Sequence, residues 1–204
     1  MESLPNKKQE NKEIILETLK NLENFDFLPN QNKVDLICVY QKIKPASKIE
    51  IFFKPGYQSY TEGDFKHNLS SLKTVLDDLG LPYNVHVDDF DKEEVAAIFY
   101  VGKDQHSLHE TMKAFQDSTK DRDKVIGKSL GYPETAIQAY SERKLKKISA
   151  LPEEIRKSEY IKFLNFQLSE DHWQDEVEDV KKRAKLIKEV DETFYRKIIN
   201  SQKV

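Results

Sequence analysis

The chain has 204 residues, with 33 basic and 36 acidic side chains and a formal net charge of -3. That length suits one good-sized domain, or a domain with an appendage. The balanced charge excludes a surface given over wholly to nucleic acid.

No window approaches the roughly 18 apolar residues of a membrane helix, and the N-terminal region lacks the order of a secretory signal. The single Cys38 can form neither an internal disulfide nor a thiolate metal cluster. A cytoplasmic location is the resulting expectation, with no membrane partner. The charge is unevenly spread. Residues 119–147 hold eight bases and four acids, whereas residues 148–179 hold three bases and nine acids. A basic island thus precedes an acidic stretch, and it is the natural place for an anionic partner.

In chain order, residues 12–22 read as a short helix with Ile15, Leu19 and Leu22 on one face, and residues 1–32 as an N-terminal tail and helix. Val34 to Ile43 reads as an internal strand, apolar on both faces. After the turn Lys44-Pro45-Ala46-Ser47, the alternation of Ile49, Ile51 and Phe53 gives a second strand, pairing with the first as a hairpin. Thr61 followed by Asp64 is a capping box. The helix it opens carries Phe65, Leu69, Leu72, Val75, Leu76 and Leu79, and ends at Gly80 and Pro82. Tyr83, Val85 and Val87 mark a half-buried strand, and Val95 to Val101 one buried on both faces. A helix with Leu108, Met112 and Phe115 follows.

The expected class is α+β: a mixed or antiparallel sheet of about four strands with packed helices at residues 33–118, and an all-helical region at residues 119–204. That region divides into helices at 121–130, 133–147 and 152–167, and at 170–200 either one long helix or two with a break at Asp191. The apolar seam Val177, Val180, Ala184, Ile187, Phe194, Ile198 predicts packing against residues 152–167, or a homodimer through the C-terminal helix.

The segment Val125 to Tyr140 has the most specific pattern. Leu130-Gly131 closes one helix, Gly131 supplies the left-handed residue, and Pro133 opens the next. Ala136, Ile137 and Tyr140 then face back toward Ile126 and Leu130. The pattern resembles a helix-turn-helix. That resemblance implies base reading by Thr135 and Gln138 beside Glu134, and phosphate contacts from Arg143, Lys144, Lys146 and Lys147. The adjoining acidic stretch opposes a duplex, so DNA is not the favoured partner.

Two stretches, Phe99-Tyr100-Val101-Gly102-Lys103-Asp104 and Gly127-Lys128-Ser129-Leu130-Gly131-Tyr132-Pro133, also resemble a prokaryotic family of unassigned function. Its pattern is a strand ending in a Gly/Ser-Lys-Asp turn, a helix, then Gly-Lys-x-Leu-Gly-Tyr-Pro and a Cys-Cys pair. The resemblance spans about 45 residues and implies fold rather than activity. The Cys-Cys pair is Thr135-Ala136 here, so thiol or metal chemistry of that pair does not carry over.

Other candidates are weaker. Gly102, Lys103, Asp104 and His106 lie where a strand meets a helix N-terminus and could hold an anion, although Asp104 suits a helix cap. His106 and His109 share a helix face, and His86 and Asp88 a strand face, but no third ligand converges on either pair, so no metal is assigned. Asp88, Asp89, Asp91, Glu93 and Glu94 form an acidic loop, and Tyr57 and Tyr60 an aromatic one. No motif requires a cofactor.

The leading functional expectation is a non-catalytic binding or regulatory protein that uses the corner at 126–147, with Gly131, Tyr132, Pro133, Thr135, Gln138, Arg143 and Lys144 as its contact residues. The partner is a protein or a small molecule of unknown identity. The alternatives are an enzyme or small-ligand protein with its site between 102–106 and Tyr132, and a helix-turn-helix DNA binder.

Overall fold

The computed structural model describes residues 15–54, 60–88 and 94–201. Tyr57 and residues 89–93 of the acidic loop lie outside these. Residues 15–21 are helical (α1). There follow α2 (Asn30–Tyr40), β1 (Ala46–Phe53), α3 (Glu62–Asp78), β2 (Tyr83–Val87), β3 (Val95–Gly102) and α4 (Gln105–Gln116). The second half holds α5 (Arg122–Ser129), α6 (Glu134–Glu142), β4 (Leu145–Lys146), α7 (Glu153–Arg156), β5 (Leu168–Ser169), α8 (Trp173–Val190) and α9 (Glu192–Asn200). No helix among the described residues is long and apolar enough to cross a membrane.

The α+β class holds, with a helix-rich C-terminal region. The main sheet has the order β1-β3-β2 and is antiparallel throughout. It has three strands rather than about four, because Val34 to Ile43 is not a strand. The residues form α2, in which Val34, Leu36, Ile37, Cys38 and Val39 are all buried. A helix buried all round shows an unbroken apolar run, which periodicity alone cannot tell from a buried strand. The expected hairpin with β1 is therefore absent; a turn from α2 feeds β1 instead.

One face of the sheet is the main core. Ile49, Ile51 and Phe53 of β1 and Val95, Ala97, Phe99 and Val101 of β3 meet α2 and α3 there. The other face of β3 is only half-buried at Ala96, Ile98 and Tyr100, not sealed as its apolar run suggested. There α4 covers it, setting Phe115 5.3 Å from the Tyr100 ring and under the Lys48 ammonium at 4.9 Å. The capping box of α3 is present: Thr61 Oγ1 accepts from Asp64 N at 3.1 Å, and Asp64 Oδ2 accepts from Thr61 N at 2.8 Å. Tyr60 packs its ring on Phe53 at 6.1 Å and accepts a hydrogen bond from Asn68, a structural role.

The second half departs further from expectation. Helix α6 ends at Glu142, and Lys146 pairs in a two-stranded ribbon with β5, so the region is not all-helical. Residues 152–167 do not form one helix. They make the single turn α7, a 3-10 turn at Glu159–Phe163 and extended chain. Ser158 Oγ donates to Ile155 O at 2.5 Å, a local bond that competes with helix continuation. No helical hairpin forms with α8. The break at Asp191 is as read: its carboxylate leaves α8 and caps α9, accepting from Phe194 N at 3.0 Å. The seam Val180, Ala184, Ile187, Phe194, Ile198 joins the same core cluster as α2, α3 and the sheet, and is spent inside the chain.

Candidate functional site

The corner between α5 and α6 is a Schellman closure. Gly131 N donates to Lys128 O at 3.1 Å and Tyr132 N to Gly127 O at 3.0 Å, with Gly131 at φ +71°. A Cβ on Gly131 would overlap Pro45 Cδ and lie 3.0 Å from Pro45 Cγ, so the corner docks on the turn that leads into β1. Gly127 also meets Ile137 closely: a Cβ there would be 2.9 Å from Ile137 Cγ1. Ala136 is buried as expected, but Tyr140 is 51% exposed.

Beneath the corner lies a buried polar chain. Lys44 is 2% exposed, and its ammonium meets Asp35 Oδ2 at 2.5 Å. Asp35 Oδ1 accepts from Asn165 Nδ2 at 2.9 Å, and Asn165 Oδ1 accepts from Arg183 Nη1 at 2.5 Å. Arg183, 7% exposed, reaches Gly131 O at the long distance of 3.5 Å. Two rings cover these charges: Lys44 lies 5.6 Å from the Tyr132 centroid, Arg183 5.5 Å from that of Phe166, and the rings are 6.0 Å apart. Burial pulls the Lys44 ammonium below the ordinary lysine range, against the opposing pull of Asp35. Burial pushes the Tyr132 hydroxyl up, and the Asp35 carboxylate adds to this. Lys44 is buried and held by Asp35 with the Tyr132 ring over it, an arrangement that suits a structural floor.

Above this floor opens a cavity of about 790 Å³. Ile126, Gly127, Tyr132, Ala136, Ile137 and Tyr140 of the corner make one wall. The segments 146–149 and 164–168, which flank the β4–β5 ribbon, make the other. Asn165 belongs both to the cavity wall and to the buried polar chain. Apolar walls with a few polar groups, in this size range, are the usual make-up of a small-molecule site.

The expected contact residues divide. Gly131 and Pro133 shape the turn, and Tyr132 lines the cavity. Thr135 is turned inward, donating to the buried Glu176 at 2.7 Å. Gln138 donates to Glu142 at 2.8 Å, and Lys144 pairs with the same carboxylate at 2.8 Å. Arg143 is exposed and closes α6 at φ +60°. The second group sits apart from the cavity. Gly102 is buried where a Cβ would lie 2.5 Å from Leu108 N, and Lys103 N donates to Pro45 O at 2.9 Å. Asp104 caps α4, accepting from Ser107 N at 2.7 Å, and His106 is exposed. None of Gly102, Lys103, Asp104 and His106 lines the cavity that Tyr132 lines. Among the described residues no three His, Cys, Asp or Glu side chains gather as a metal site would need.

Asp35, Lys44, Asn165, Phe166 and Arg183 were not legible as site residues. Arg183 and Glu176 did leave a trace: both fall on the buried face of α8, among Val177, Val180 and Ala184. A charge on an apolar helix face is the signal that finds them. Compared with known protein families, curated proteins and solved structures, the chain matches none.

Proposed function

We propose that the chain is a non-catalytic binding protein whose corner cavity takes a small molecule with an apolar body. The observation that supports this most is the cavity itself: about 790 Å³, walled by the corner on one side and by residues 146–149 and 164–168 on the other. Its floor is held by the Asp35–Asn165–Arg183 chain, which ties three separate parts of the sequence together. A preorganised floor lowers the ordering cost of binding. The DNA reading finds less support. Thr135 is spent on Glu176, Gln138 on Glu142, and the exposed face of α6 carries Glu134 and Glu142.

The test is titration with 1-aminoanthracene, a neutral fluorophore that brightens in apolar pockets. The native chain should bind one molecule saturably. Ser149→Trp, at an exposed position of the cavity wall, should remove that binding while leaving the unfolding midpoint unchanged. Absence of saturable binding to the native chain, or equal binding by the folded variant, contradicts the proposal.

A further inference from the structure

One wall of the cavity and Lys146 and Lys147 belong to the basic island, and the rim is not neutral. Lys146 and Lys147 both line it, with Asp123 as the carboxylate among the lining residues. The Lys146 ammonium lies 5.9 Å from the centre of the Trp173 ring, and neither lysine's ammonium has a hydrogen-bond or ion-pair partner among the described residues. Lys144, two residues before Lys146, is by contrast paired with Glu142. Behind the floor, the buried Lys44 pairs with Asp35, and the buried Arg183 reaches that carboxylate only through the Asn165 amide. The other buried anion nearby, Glu176, is already satisfied by Thr135 and by Ser169 N at 2.7 Å. Among the residues that line the cavity, two ammoniums thus stand against one carboxylate, and both keep their donors free among the described residues.

Resting on the cavity reading above, we infer that the ligand is an anionic amphiphile: an apolar chain or ring in the cavity, ending in a carboxylate that meets Lys146 and Lys147. Lysine suits this as a flexible point charge at a wet rim, where its stem covers apolar surface and its head stays in water. The attraction is partly screened, so the charge selects among ligands whose apolar bodies supply most of the affinity.

Competition against bound 1-aminoanthracene decides the matter, with decanoate, 1-decanol and decyltrimethylammonium at equal chain length. Decanoate should displace the probe about tenfold better than decanol, and the cation should be weakest. The double variant Lys146→Gln/Lys147→Gln should bring decanoate to the level of decanol, each competition being referred to the variant's own probe affinity. Saturable probe binding with decanoate no better than decanol overturns the charge assignment and leaves the cavity reading intact. Failure of the probe itself overturns the cavity reading. Attachment to phosphatidylglycerol vesicles that decanoate does not release also overturns the inference, since it would assign the lysines to a membrane surface.

Discussion

At the scale of single residues, the buried polar chain decides most. Asp35 is the carboxylate that faces Lys44, and its second oxygen orients Asn165 for Arg183. Breaking a buried pair leaves an uncompensated charge, which costs about 3–5 kcal/mol, whereas replacing both members by apolar groups is far milder. Asp35→Asn should therefore lower stability by about 3 kcal/mol in urea unfolding, and Asp35→Asn combined with Lys44→Met should recover most of it. Equal loss in both variants would mean that the pair is not the source. Cys38 offers a second check. Burial, and then the Asp35 charge, push its thiol up to about 12 from its ordinary 9.0. Between these values the unfolded chain has released a proton that the folded chain keeps. Through this group, stability is fully present below pH 9 and falls as pH rises from about 9 to about 12. Cys38→Ala should flatten that part of the stability–pH curve. A curve with unchanged slope would contradict the assignment.

At the scale of elements, the same helix ending recurs with different residues. Lys42, Gly80, Gly131 and Arg143 each take a positive φ just past a helix. In each, paired bonds close the last turn; for α6, Lys144 N donates to Ala139 O at 2.9 Å. A side chain in this conformation costs about 1–2 kcal/mol, so Arg143→Gly should stabilise by up to about 1 kcal/mol after its larger unfolded-state entropy is counted. Gly131→Ala should do the reverse, costing at least about 2 kcal/mol, because overlap with Pro45 adds to the backbone strain. Denaturant midpoints of the two variants, moving in opposite directions, check this; a neutral Gly131→Ala would contradict the docking of the corner on Pro45. These endings also show what a sequence reveals. Gly80 and Gly131 were legible because glycine announces the conformation. Lys42 and Arg143 carry no such signal, so the sequence pattern extends α6 to residue 147, five residues beyond Glu142. Residues 152–167 depart for another reason: the buried positions in and beside them, Leu151, Ile161, Phe163 and Leu168, are irregularly spaced, fixed by tertiary contacts rather than by a period.

At the scale of the whole molecule, the N-terminal core and the C-terminal helices share one hydrophobic cluster, from Leu19 and Leu36 to Ile187 and Ile198. The cavity exists because that sharing brings residues 126–140, 146–149 and 164–168 together over a floor contributed by α2 and α8. The sequence-level reading could place the basic island on the corner, since both are local features. It could not place Asn165 or Phe166, which reach the site only through long-range packing. The most direct measurement is an amide chemical-shift map of the intact chain titrated with decanoate. Shifts confined to residues 126–140, 146–149 and 164–168, saturating at one equivalent, are the predicted result. Shifts centred elsewhere, such as on residues 102–106, or no saturable shifts at all, would contradict the account.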